Sequence, residues 1–176
     1  MKLYFVRHGQ TNANTNAINH DSSMTNQSLN EQGLIQAHDL ALELKEINFD
    51  LIISSPLKRA LQTAEIINEY HNLPIIVNND LREIEMDTHI DADAWRDAFN
   101  TDKEKQVVGV ENLKDFFARV YTAIEEIKSR NGEKTILVVS HGGVKHALAA
   151  YVEQSPLRGD MLTNRMRQCE VRLYEL

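Results

Sequence analysis

A single cysteine, Cys169, in 176 residues leaves no internal disulfide to be made, so the fold must be held by packing and hydrogen bonding. No apolar run approaches the ~20 residues of a membrane-spanning helix, and nothing resembles a secretory signal; the expected compartment is the cytoplasm. Basic residues never gather in a run, and 19 Lys and Arg against 26 Asp and Glu give a formal net charge of -7. That balance argues against a nucleic acid or an anionic membrane as partner, and any anionic ligand must be small and held in a local basic pocket. The chain also lacks a G-x-x-x-x-G-K-[ST] loop, and its only Gly-Gly pair has no dinucleotide fingerprint around it, which removes the nucleotide-driven mechanisms. There is no internal repeat and no low-complexity linker.

What is present has the composition of an ordinary soluble protein. The apolar fraction of 42% and charged fraction of 26% fit neither a disordered nor a fibrous chain, and the length suits one domain over residues 1–176. Four short apolar runs read as buried strands: KLYFV (2–6), LIIS (51–54), PIIV (74–77) and TILVVS (135–140). A fifth, EVRLYEL, alternates Val171 and Leu173 against polar neighbours and suits an edge strand. Helical stripes lie between them. Ser28 with Glu31 has capping-box spacing ahead of Leu34, Ala37, Ala41 and Leu44. Ser55-Pro56 reads as N-cap and first helical position before Leu57, Leu61, Ala64 and Ile67. Leu113, Phe116, Phe117, Val120, Ile124 and Ile127 form the clearest amphipathic helix, ending near Asn131-Gly132. Strands alternating with helices predict a three-layer α/β/α architecture on a largely parallel central sheet. Two stretches stand outside it: the polar loop 9–27, and the acidic segment 80–110 with at most one short helix at Asp91–Phe99. Both are placed to line or cover a site.

In open α/β sheets ligands bind beyond the carboxyl ends of the strands, where helix N-termini also point. The first strand ends in Arg7-His8-Gly9, the second in Ser54-Ser55-Pro56-Leu57-Lys58-Arg59, the fourth in Ser140-His141-Gly142-Gly143. Two histidines and two arginines thus converge on one edge. A lone strand-end histidine is usually structural, but two His-Gly steps at opposite ends of the chain are hard to explain by packing. The glycines that follow, Gly9 and Gly142, allow a sharp turn and a close backbone approach to a ligand. Arg59, on the first turn of its helix, can share a dianion with Arg7. Gln10 and Asn14 taken alone are loop residues. Cys169 falls within the last apparent strand with no phosphate-cradling loop after it, which excludes a thiolate nucleophile. DADAW (91–95) has no apolar strand before it and reads as an acidic helix start. DTHID (87–91) lacks histidines at ligand spacing, so no metal site is expected there. His38 and His146 read as surface or packing residues.

Together RHGQTNAN, LNEQGLIQAHDLALEL, SSPLKRALQTAEII, LREI, GVEN and LVVSHGGV resemble the histidine phosphatase superfamily, whose fold is phosphoglycerate mutase-like. The resemblance spans essentially the whole chain. It implies that His8 is the nucleophile that becomes phosphorylated, that Arg7 and Arg59 clamp the phosphate, and that His141 is a second phosphate ligand. It further implies Glu83 as proton donor, with Glu85 a rival two residues on, and a pocket lined by Gln10, Asn14 and Gly142. No metal or cofactor is called for, because two arginines and His141 can stabilise the transferring phosphoryl group. Neutral His8 needs one ring nitrogen held by a backbone acceptor, for which the Gly9 carbonyl is available. Where family members commonly continue LREIEM with a Gly and a Trp-Glu-Gly type segment, this chain has DTHIDADAW, a departure that bears on substrate choice. The acidic stretch 83–97 discourages highly charged substrates.

The expected function is a metal-independent phosphomonoester hydrolase acting on small phosphorylated metabolites through phospho-His8. A mutase must shelter its phosphohistidine from water, which usually takes extra chain, and no long insertion is recognisable. Cofactor-dependent phosphoglycerate mutase is the first alternative; a non-catalytic binding or regulatory protein on the same scaffold is the second. Substrate identity and oligomeric state are not encoded in any of these features.

Overall fold

The apolar runs become strands because alternate side chains enter two different cores. In the computed structural model, which describes residues 1–15, 26–87, 106–154 and 166–176, β1 (Lys2–Arg7) sends Leu3 and Phe5 to one face and Val6 to the other. β2 (Leu51–Ser54) divides Ile53 from Ile52, and β4 (Thr135–Ser140) divides Ile136 and Val138 from Leu137 and Val139. Strands buried on both faces read as unbroken hydrophobic runs, as these do. β3 (Ile75–Val77) and β5 (Val171–Glu175) are the edges of a five-stranded sheet of order β3-β2-β4-β1-β5. β5 runs antiparallel to β1, and every other pairing is parallel. On β5, Leu173 is exposed and Tyr174 packs against the core instead.

Helices fill both faces. α2 (Glu31–Leu44) and α3 (Lys58–Asn68) cover one, while α4 (Leu113–Asn131) and α5 (Gly142–Glu153) cover the other. The α4 stripe is buried as its spacing predicts, and the helix stops at Gly132 with φ 51°. On α2 the buried face is Gly33, Ala37, Leu40, Ala41 and Leu44, with Leu34 turned outward. On α3, Leu61 is only half-buried, and the buried positions include Arg59 and Thr63. The polar loop after β1 contains a short helix, α1 (Asn12–Thr15), and a 3-10 turn at Asn79–Leu81 follows β3. The expected helix at Asp91–Phe99 lies outside the described residues, as does all of DTHID except Asp87. Among the described residues no helix is long and apolar enough to cross a membrane.

Two predicted caps are misplaced. α2 is capped by Asn30, not Ser28, and the Asn30 carboxamide oxygen accepts from Gly33 N–H at 2.8 Å. α3 begins at Lys58, leaving Ser55 and Pro56 outside the helix, and its N-cap Leu57 has no side chain that can accept. The Lys58 N–H goes instead to the Asn26 side chain at 2.8 Å. Cys169 lies in the turn before β5 with φ 53°, not within the strand.

Candidate active site

Register brings the site together. Arg7 pairs with Ser140 across β1 and β4, so His8 and His141 leave adjacent strands side by side, their ring centroids 5.1 Å apart. Ser54 pairs with Val139, which places Ser55 on the other side of Ser140. The chain order reverses here, since β4 sits between β1 and β2, and a crevice at such a switch point is where α/β sheets bind ligands. His8, Arg59 and His141 are each at most 1% exposed, and Arg7 is half-buried.

His8 is held by the backbone. Its Nδ1 lies 2.7 Å from the Gly9 carbonyl oxygen. A carbonyl only accepts, so Nδ1 carries the proton and the neutral ring keeps its lone pair on Nε2. Arg59 Nε donates to that nitrogen at 3.3 Å. Thr63 joins the two segments: its hydroxyl accepts from Gly9 N–H at 3.1 Å and donates to the Arg59 carbonyl at 2.7 Å. Arg7 Nη1 donates to the Met166 carbonyl at 2.6 Å.

His141 is held differently. Its Nε2 lies 2.7 Å from Ser55 Oγ, while Nδ1 is buried with no hydrogen-bond partner among the described residues. Burial pushes its pKa well below the ordinary histidine value, and the charges of Arg59, Arg7 and Arg119 push the same way. The ring is therefore neutral around pH 7.

Glu83 reaches this second turn. Its carboxylate accepts from Gly143 N–H and from Ile84 N–H, both at 3.1 Å, acting as a cap for α5 supplied from another part of the chain. Glu85 faces elsewhere, paired with Arg82 at 3.1 Å with its side chain 47% exposed. Arg119 of α4 fixes the backbone beneath Glu83. It donates to the carbonyls of Asp80, Arg82 and Glu83 at 2.6, 2.9 and 3.2 Å, and grips Glu111 of the GVEN motif with two bonds at 2.7 and 2.9 Å. This bidentate fork needs the guanidinium geometry.

The remaining predicted residues divide. Gln10 ties the loop to α2: its side-chain oxygen and its carbonyl both accept from Asn30, at 3.0 Å each. Asn14 Oδ1 accepts from the Thr11 N–H and hydroxyl, closing the turn of α1. Gly142 has room for a methyl group, with Arg7 Nε 3.8 Å from where a Cβ would be. Gly9 and Gly33 are closed off by backbone, since a Cβ on Gly9 would meet the Gly33 carbonyl oxygen at 2.6 Å and one on Gly33 the Gln10 carbonyl oxygen at 2.1 Å, while a Cβ on Gly143 would meet the Glu83 carboxylate at 2.2 Å. Cys169 is half-buried, and that burial, followed by the Asp39 charge, raises its thiol pKa to about 12. Sequence reading missed Ser55 as a histidine partner, Thr63, Gly143 and Arg119. The motif runs SSPLKRALQTAEII and GVEN contained Ser55, Thr63 and Glu111, but no pattern marked Arg119.

Fold and crevice define a class: a three-layer α/β protein with buried cationic and imidazole groups at the ends of its parallel strands. A sequence profile of the histidine phosphatase superfamily (branch 1) matches residues 3–175, and the chain belongs to that family. It is 33% identical over 145 residues to the uncharacterized phosphatase PhoE of Bacillus subtilis (strain 168), covering 81% of this chain and 72% of PhoE. It is 32% identical over 167 residues to the adenosylcobalamin/alpha-ribazole phosphatase of Salmonella typhimurium (strain LT2), covering 89% and 81%. The solved structure of Bacillus stearothermophilus YhfR superposes with a TM-score of 0.87 at 27% identity, over 99% of this chain and 91% of YhfR. Membership makes the chain an enzyme of the phosphatase class.

Proposed function

We propose that the protein, as one domain over residues 1–176, hydrolyses small phosphate monoesters in the cytoplasm through a phosphohistidine on His8. The observation that carries this reading is the clamped His8 ring, with Nδ1 on the Gly9 carbonyl and the Nε2 lone pair beside Arg59. Nε2 attacks phosphorus, and the P–O bond to the leaving group breaks as Glu83 gives its proton to the departing oxygen. Water then attacks the phosphohistidine, returning a proton to Glu83 while the P–N bond breaks and inorganic phosphate leaves. Arg7, Arg59 and His141 stabilise charge on the phosphoryl oxygens in both steps. Gly142, first residue of α5, offers its backbone to the substrate from the helix N-terminus. Gln10 and Asn14 shape the loop at the rim. Glu83 is favoured over Glu85 because it alone of the two touches the turn that follows His141.

Rapid quenching during turnover is expected to trap an acid-labile, alkali-stable phosphoryl group on His8, and His8→Ala to lose both label and activity. Label that persists in that variant refutes the assignment. Phosphate release without a bisphosphorylated primer separates this reading from a mutase, and any turnover separates it from a binding protein.

A further inference from the structure

Two hydrogen-bond arrangements are open to His141 and Ser55, and they leave opposite faces for a ligand. If the ring donates from Nε2, Ser55 Oγ accepts, and Nδ1 presents a lone pair to whatever enters the crevice. If Ser55 donates, Nε2 accepts and Nδ1 carries the proton. The surroundings of Ser55 choose between them. Ser55 is fully buried, as is His141, so the hydroxyl proton needs a protein acceptor. Its oxygen already faces the Leu57 N–H at 3.4 Å, an acceptor's role, and the neighbouring Ser54 hydroxyl is turned to the Ser55 carbonyl at 2.9 Å. Among the described residues His141 Nε2, at 2.7 Å, is the one acceptor that the Ser55 hydroxyl meets. Nδ1 has no partner among those residues, which is the condition of a donor kept for a ligand.

We propose that Ser55 is a positioning residue that donates to His141 Nε2 and thereby holds the ring as the Nδ1–H tautomer, with its proton kept for a phosphoryl oxygen. The proposal rests on the reading of the crevice as a phosphoryl-transfer site. On that reading His8 and His141 are neutral imidazoles with the same protonated atom and different tasks. In His8 the Nδ1 proton is spent on a backbone carbonyl, which leaves a nucleophilic lone pair. In His141 the lone pair is spent on Ser55, which leaves an electrophilic proton. An imidazolium at His141 would require Ser55 to accept from Nε2 and would strand the hydroxyl proton in a buried site with no acceptor among the described residues.

The test is nitrogen-15 NMR of histidine-labelled protein without substrate, with His141 assigned by the signals missing in His141→Gln. The expected result at neutral pH is a protonated Nδ1 and an unprotonated Nε2. In Ser55→Ala the proton should move to Nε2, and phosphate release should fall about 10- to 100-fold, bounded by the cost of removing one preorganised donor. Ser55→Thr, which keeps the hydroxyl, should retain the wild-type tautomer. A wild-type His141 protonated on Nε2, alone or together with Nδ1, overturns the proposal without recourse to any variant; so does a Ser55→Ala protein with tautomer and rate unchanged. The tautomer is read on the resting protein, so a failure to trap phospho-His8 would remove the nucleophile assignment and leave the Ser55–His141 result to be judged by itself.

Discussion

The molecule ends two adjacent parallel strands with the same dipeptide, His-Gly, and makes two different objects of it. At His8 the ring answers to its own backbone, and the glycine is pressed against α2, where Gly33 and Gln10 are in backbone contact. At His141 the ring answers to a hydroxyl from another strand end, the first glycine is unobstructed, and the second carries a carboxylate from the segment after β3. The same dipeptide thus takes its character from its own backbone at one strand end and from another segment at the other. The β2–α3 connection and the first turns of α3 reach both rings: Ser55 touches one, Arg59 the other, and Thr63 ties Gly9 to Arg59.

Changes on one side of this pair should fail in ways that changes on the other side do not. The largest selective effect is expected at the carboxylate of the second turn. Glu83→Gln should slow phosphoenzyme formation from alkyl phosphates by about 10²- to 10⁴-fold and from p-nitrophenyl phosphate far less, because nitrophenolate departs without a proton. Single-turnover measurement isolates that step, and Glu85→Gln is the matched control; leaving-group dependence in the control alone would reassign the donor. Next comes His141→Gln, expected to lose about 10²- to 10³-fold in kcat while still forming a trappable phospho-His8. Complete loss of label there would mean that the two histidines do not divide the work.

Smaller effects test the glycines and the charge state. Gly9→Ala should destabilise the fold by about 1–3 kcal/mol in denaturant unfolding, since the added methyl meets backbone, whereas Gly142→Ala should stay within about 0.5 kcal/mol. Equal costs would show that the first turn is not packed as described. The last difference is in pH. His141 has a lowered pKa in the folded protein, so below the unfolded value of about 6.5 the unfolded chain binds a proton that the folded one does not. Stability from this group is fully present above that pH and is lost as pH falls toward the folded pKa, at up to about 1.4 kcal/mol per pH unit. His71, whose pKa burial also lowers, adds a slope of the same sign, so the measurement is the difference between wild type and His141→Gln. That variant should lose part of the acid-side slope.

Which of these features can be read from sequence follows from where their information lies. Strands and the α4 stripe are legible because burial on two faces leaves an unbroken apolar run and burial on one leaves a period. Arg7, His8, Arg59 and His141 are legible because strand ends converge, so placing the strands places them. Glu83 lies past the end of β3, away from any strand tip, and only the family resemblance marks it. Ser28 imitates a cap because its distance to Glu31 matches a capping box, while Asn30, adjacent to the helix, makes the bond. Nothing in a Gly-Gly pair tells which glycine faces a neighbour, and the answer at 142–143 is the second. Arg119, between Ala118 and Val120 on a long amphipathic helix, reads as a solvated charge, and only its three carbonyl partners from another segment reveal otherwise.

Arg119 and Glu111 have one more consequence. Glu111 N–H donates to the Glu85 carbonyl at 2.8 Å, Asp87 N–H to the Gly109 carbonyl at 2.7 Å, and Met86 bridges Val110. The chain leaving at Asp87 and the chain returning at Gly109 are therefore fastened together before anything between them matters. A neck closed in this way steadies the backbone on which Glu83 stands. In engineering terms it is a clasp that keeps the acid in its place.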